Sequence, residues 1–219
     1  MPTIRVNEIC CTILGESSAV GKPCAIVRLT GCHRRCTYCD SAYAFNDGES
    51  MSLAEVLARV DELAVGTVLV TGGEPLLQPT CLELLAVLLA DGREVLLETS
   101  GTLGTTPLAQ VPAGVRRIVD VKTPGSGVPA DQVDWPGLRA LGPRDELKFV
   151  CCDRADYDWA RDLVHAGERL PADVPIAFSP AEGRLDPTEL AEWIVADRLD
   201  VRFQIQLHKV LWPGRERGV

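Results

Sequence analysis

The chain has 219 residues, 46% of them apolar, enough for one large core and short for two, so a single domain over residues 1–219 is expected. A formal charge of −9 supplies no basic footprint for a polyanion, which argues against nucleic acid as a partner. No apolar run approaches the ~20 residues that span a bilayer, and the start MPTIRVNEICC lacks the pattern of a signal peptide, so a cytoplasmic protein with no membrane partner is expected.

Along the chain, short apolar runs bounded by turn residues alternate with longer amphipathic segments. An N-terminal strand is expected at 4–12, followed by strands at 24–30, 67–71, 94–99, 115–121, 146–151 and 174–179, with a final strand at 201–207. Helices are expected at 52–64, 80–91, 153–166 and 187–197, and Ser52, Asp153 and Asp186 stand where a side-chain cap is useful. The Gly/Pro/Thr-rich stretches 100–112 and 123–144 read as loops with at most short helices. Strands joined by helices in this way leave two architectures open, an open doubly wound sheet and a barrel. A complete eight-unit barrel takes ~250 residues and only about six units are counted here, so a barrel has to be incomplete. In either case ligands bind at the carboxyl ends of the strands, where Cys32, Gly72, Gly73 and the Thr99–Gly101 segment fall.

Nine cysteines in an unexported chain point away from a disulfide framework and toward metal binding for any tight group. Cys32, Cys36 and Cys39 form the only such group; Cys10, Cys11, Cys24, Cys81, Cys151 and Cys152 lie in or beside apolar stretches and read as small buried hydrophobes. A cubane cluster has four irons, so three thiolates leave one iron open to a ligand, whereas electron-carrier clusters take four cysteines. The alternative is a structural zinc site, which needs a fourth ligand such as His33. A second feature sides with the cluster: Thr71-Gly72-Gly73-Glu74-Pro75 follows the apolar TVLV strand, and its glycines permit close backbone approach beside an acid able to accept from an ammonium group.

The segment GCHRRCTYCDS resembles the signature of the radical S-adenosylmethionine superfamily, and the G-G-E-P turn resembles its methionine-binding turn. That resemblance implies a four-iron four-sulfur cluster on Cys32, Cys36 and Cys39 whose open iron is chelated by S-adenosylmethionine, reductive cleavage of which yields a 5′-deoxyadenosyl radical. A narrower resemblance runs end to end. E-I-C-C-T-I-L-G-E, G-K-P, R-L-T-G-C, C-D-S-A-Y, T-G-G-E-P, L-E-T-S-G, E-L-K-F-V and Q-L-H-K-V-L-W-P are similar to segments of the 7-carboxy-7-deazaguanine synthase family. The family resemblance implies an α/β fold with an incomplete TIM-type barrel, a homodimer, a magnesium requirement, and an electron donor such as flavodoxin or ferredoxin. The implied reaction converts 6-carboxy-5,6,7,8-tetrahydropterin to 7-carboxy-7-deazaguanine with loss of ammonia, on the route to queuosine.

Carried over by position, the resemblance implies that Tyr38, Cys39, Asp40, Gly72, Gly73, Glu74, Ser100, Asp120, Val121 and Lys122 attend S-adenosylmethionine. It implies that Ile13, Leu14, Gly15, Glu16, Arg28, Thr71, Glu98, His208 and Val219 attend the pterin, Arg28 offering a fork for a carboxylate and Glu16 or Glu98 accepting from an N–H edge. Ser41 stands where the family has a threonine whose hydroxyl binds magnesium, and the hydroxyl is kept. The chain departs from the family pattern at Leu14 (glutamine), Ser17 (glycine) and Arg34 (commonly apolar). The competing function is a radical-activating enzyme acting on a partner protein's glycine, which would share the cluster and the turn but needs an open groove.

Overall fold

The computed structural model describes residues 2–219. Strand β1 (Thr3–Ile13) turns into β2 (Pro23–Leu29), and after the cysteine loop comes a short β3 (Glu49–Ser52) leading into α1 (Leu53–Glu62). Regular alternation follows: β4 (Thr67–Gly72), α2 (Thr80–Ala90), β5 (Glu94–Thr99), β6 (Arg116–Asp120), α3 (Trp135–Leu138), β7 (Glu146–Cys151), α4 (Arg154–Ala166), β8 (Ile176–Pro180), α5 (Pro187–Asp197), β9 (Arg202–Phe203) and α6 (Leu207–Leu211). All strands join one sheet in the order β3-β1-β2-β4-β5-β6-β7-β8-β9; β1 pairs antiparallel with both β2 and β3, and the remaining neighbours are parallel.

The expected caps form. Ser52 and Glu55 make a reciprocal capping box, Asp153 accepts from the Asp156 amide at 3.0 Å, and Asp186 accepts from the Thr188 amide at 2.7 Å. Two expectations need correction. The final strand expected at 201–207 is only Arg202–Phe203, because the Leu207 amide is captured by the Gly15 carbonyl at 2.9 Å and the chain leaves the sheet as α6. The buried reading of the outlying cysteines fails at Cys11, which is exposed on the side of β1 opposite the half-buried Cys10. Strand β3 escaped sequence reading, since its four residues have no apolar pattern and exist only by pairing with Thr3–Val6.

Period-two alternation divides the parallel strands between two faces. Val68, Val70, Val95, Leu97, Phe149 and Phe178 pack outward under the helices, where Leu84, Leu85 and Leu88 of α2 are fully buried at about 1.5–3 kcal/mol each. Cys24, Ile26, Leu69, Leu96 and Ile118 face the concave side and are capped by Leu14 and Ala19 of the β1–β2 loop. That loop crosses the open side of the sheet: the Ser18 amide donates to Glu146 at 2.8 Å, and Gln204 Nε2 donates to the Ser17 carbonyl at 3.0 Å. Ser17 takes φ 72°, a left-handed conformation that explains a glycine there in the family pattern and costs a serine about 1–2 kcal/mol. At the β6–β7 crossover, buried Asp145 accepts from Nε of Arg117 at 3.0 Å and from the amides of Arg117 and Gly142 at 2.9 and 2.8 Å.

Candidate active site

The positions two residues beyond the concave apolar layer are polar: Arg28 after Ile26, Thr71 after Leu69, Glu98 after Leu96, Asp120 after Ile118. Alternation therefore turns these four onto the same face, at the carboxyl ends, into a cavity of 770 Å³. Every candidate site residue read from the sequence lines this cavity except Glu74 and Val121.

The cysteine loop leaves β2 and forms one wall. Cys32, Cys36 and Cys39 are each half-buried and line the cavity; burial pushes the Cys32 and Cys36 thiols up, and the Cys39 thiol raises both further. The G-G-E-P turn docks on this loop: the Gly73 amide donates to the Leu29 carbonyl at 3.2 Å and the Glu74 amide to the Gly31 carbonyl at 2.8 Å. A Cβ at Gly73 would collide with the Gly31 carbonyl and with Cys32, so the glycine is required by the contact between the two motifs as well as by any ligand. Glu74 differs from its expected place. It is fully buried, and its carboxylate already accepts from the Leu76 amide, the Thr99 hydroxyl, and the amide and hydroxyl of Ser100. Val121 is likewise fully buried in the core behind the wall.

Three residues of the cavity lining each carry a buried polar atom without a partner among the described residues, Tyr38 OH, Asp120 Oδ1 and Ser179 Oγ. Orphaned polar atoms carry a desolvation cost that a polar ligand would remove. The residues present therefore fit a polar cofactor bound beside the three thiols. Lys122 Nζ lies 2.7 Å from Asp120 Oδ2; burial lowers its affinity for a proton, but Asp120 outweighs this and the ammonium is held above its usual range.

The floor carries a second charged group. Lys148 Nζ donates to Glu16 at 3.1 Å, and Thr71 Oγ1 donates to Glu98 at 3.1 Å. Burial pushes the Glu98 carboxyl up, against the pull of Lys148, while the surrounding Glu16, Asp120 and Glu98 overcome burial and keep Lys148 protonated. Arg28 Nε donates to Glu8 at 2.7 Å, and its terminal nitrogens bond no group among the described residues.

The roof is α6 and the tail beyond it. His208 packs directly on Gly15, where any side chain would overlap its ring, and burial lowers its proton affinity against the nearby Glu16 and Asp40. Gln206 Nε2 donates to Asp40 at 2.8 Å and Lys209 pairs with Asp40 and Glu182, so α6 is tied to the cysteine loop. Val219 is only 6% exposed and reaches the cavity.

Among the cavity residues that sequence reading did not single out are Lys148 and Ser179. Lys148 interrupts the otherwise apolar strand ELKFVC, a signal that was available; Ser179, in a β-strand ending with proline, gave none. Arg34, uninterpreted in sequence, pins the cysteine loop to the loops after β5 and β6 by donating to Thr102 Oγ1 at 3.2 Å, the Leu103 carbonyl at 2.7 Å and Gln132 at 3.1 Å.

A cysteine triplet at the carboxyl end of a parallel strand, held against a diglycine turn over a cofactor-sized cavity, defines a radical S-adenosylmethionine enzyme, and the model of the Radical SAM superfamily matches residues 26–166. The sequence is 44% identical over 99% of this chain to the whole of a 7-carboxy-7-deazaguanine synthase of Koribacter versatilis, and 43% identical over 99% of this chain to 97% of that of Chlorobaculum tepidum. The chain belongs to the 7-carboxy-7-deazaguanine synthase family. In fold it is similar to QueE from Escherichia coli, with a TM-score of 0.74 at 21% identity over 94% of this chain and 95% of that one. It is also similar, with a TM-score of 0.55 at 12% identity, to Streptococcus suis SuiB bound to S-adenosylmethionine, over 80% of this chain and 45% of that one. The sheet is accordingly an unclosed, partial barrel. The superfamily implies a four-iron four-sulfur cluster and S-adenosylmethionine as cofactors. No helix among the described residues is long and apolar enough to cross a membrane.

Proposed function

We propose that this chain, as a single radical S-adenosylmethionine domain, converts 6-carboxy-5,6,7,8-tetrahydropterin to 7-carboxy-7-deazaguanine with release of ammonia, in queuosine and deazapurine synthesis. The observation that carries this reading is one cavity lined on one side by three thiols and on the other by Arg28, Glu16, Glu98 and Lys148, in a chain so close to synthases of that name. Cys32, Cys36 and Cys39 would hold the cluster, which with S-adenosylmethionine supplies the radical that starts the chemistry. Tyr38, Cys39, Asp40, Gly72, Gly73, Ser100, Asp120 and Lys122 are the cavity residues assigned to that cofactor. The free terminal nitrogens of Arg28 offer a bidentate seat for the substrate carboxylate. Glu16 and Glu98 accept from the N–H edge of the pterin; Glu98, whose burial favours the proton-bearing form, is suited to proton transfer as nitrogen departs.

Ser41 is assigned to magnesium. Its hydroxyl caps nothing although it precedes the 3₁₀ turn Ala42–Phe45, which leaves it available as an oxygen ligand. The same reading includes a flavodoxin or ferredoxin as electron donor, a homodimer, and a cytoplasmic location without nucleic acid or membrane partners. A radical-activating enzyme needs an open groove for its protein substrate, and the α6 roof over the cavity does not favour it. The test is anaerobic incubation with the pterin, S-adenosylmethionine, magnesium and a reductant, followed by mass spectrometry. A product corresponding to the contracted ring minus ammonia is expected, and S-adenosylmethionine cleavage with the pterin unchanged would refute the proposal.

A further inference from the structure

The β1–β2 ladder is irregular between Val6 and Glu8. Ile4 and Val6 face the helix-side core, so regular alternation would send Glu8 there too; instead Ile9 packs on that core and Cys10 turns to the concave layer. The bulge thereby sets Glu8 directly opposite Arg28 in register. Glu8 Oε1 accepts from Arg28 Nε at 2.7 Å and from Tyr43 OH at 3.2 Å, while Oε2 accepts from the Gly218 amide at 3.1 Å. Arg217, one residue before, lies over the Tyr43 ring at 4.4 Å, and Gly218 leads into the buried Val219.

We propose that Glu8 is a positioning residue that couples the substrate-carboxylate clamp to closure of the tail over the cavity. The proposal rests on the reading of Arg28 as the seat of the pterin carboxylate. With its Nε edge held by Glu8, the guanidinium plane is fixed and both terminal nitrogens remain for the ligand. The second oxygen of the same carboxylate holds the tail, so ordering Arg28 orders the backbone at Gly218. An isosteric amide cannot serve, because three donors converge on Glu8 and an amide turns its own donor toward one of them.

The test compares the parent with Glu8→Gln, Arg28→Gln and the double variant, loaded with cluster and checked for iron content and S-adenosylmethionine binding. Glu8→Gln is expected to raise the KM for the pterin roughly tenfold with a smaller change in kcat, the size of one charged hydrogen bond. In the Arg28→Gln background it should add no further rise, because it acts through Arg28. Trypsin cleavage after Arg217, followed by mass spectrometry, should be slowed by the pterin in the parent but not in Arg28→Gln, and should be faster throughout in Glu8→Gln. If Glu8→Gln loses iron, the comparison of parent with Arg28→Gln decides. An unchanged KM, additive effects, or pterin protection that persists in Arg28→Gln would overturn the coupling alone. A parent that turns over no pterin would overturn both the coupling and the proposed function.

Discussion

Cys32, Cys36 and Cys39 share one cavity wall with no other cysteine, so a lost thiolate has no nearby replacement. Alanine at any one of them is expected to abolish the cluster and all cleavage of S-adenosylmethionine, measured as iron and sulfide content and 5′-deoxyadenosine formation; a single variant with full iron and activity sinks the assignment. Ser41 makes a finer test. Its hydroxyl lies 3.9 Å from Cys39 Sγ and is free of capping duty, so Ser41→Ala should leave iron content unchanged while weakening magnesium stimulation. Identical magnesium titrations for variant and parent would place the ion elsewhere. Spacing pointed to the three cysteines because it is a local property, while Ser41 came from the family resemblance. An acid beside two glycines gives no hint that Thr99 and Ser100, a strand away, donate to the Glu74 carboxylate.

At the level of elements, the β6–β7 crossover has no long helix and is fastened by Asp145 and Arg117, whose side chains are 5% and 15% exposed. Burial alone would raise the Asp145 carboxyl, but hydrogen bonds from Arg117 and the Gly142 and Arg117 amides outweigh it and the group is held below its usual 3.8. A depressed carboxylate contributes stability that is present above the unfolded value and lost as pH falls through the folded one. Asp145→Asn is therefore expected to cost on the order of 3 kcal/mol at neutral pH, roughly 6–12 °C in Tm. The gap should shrink below about pH 4 in thermal melts of the apoprotein; a gap independent of pH would show that the charge is not what stabilises the crossover. The elements with strong local signals, β4 through β8 and the capped helices, were legible within a residue or two. Those that failed, β3 and the end of β9, are short and owe their form to a neighbouring chain segment.

For the whole molecule, closure of the cavity depends on segments far apart in sequence. Gly15 supports His208, Asp40 holds Gln206 and Lys209, and Glu8 holds Gly218. If S-adenosylmethionine is regenerated in each turnover, as the family resemblance implies, 5′-deoxyadenosine must stay beside the substrate until hydrogen returns to it, in a site that excludes water. Truncation after Lys209 keeps His208 but removes the tail, so it should raise free 5′-deoxyadenosine per product without loss of iron. A truncated form that stays tightly coupled would refute the lid, and stoichiometric 5′-deoxyadenosine release by the intact chain would refute recycling.

By itself the sequence determined the cysteine loop, the diglycine turn, the period-two strands and the caps, because each depends on bonds or alternation within a few residues. The family resemblance gathered the polar side chains, whose partners only the tertiary structure decided. Lys148 joined Glu16 across 132 positions and Glu8 joined Gly218 across 210, because these pairings depend on the twist of the sheet and on where loops from its two edges meet. It also left the barrel unclosed, with the β1–β2 loop rather than further strands spanning the gap, an outcome set by the packing of Leu14 and Ala19 that no local pattern records.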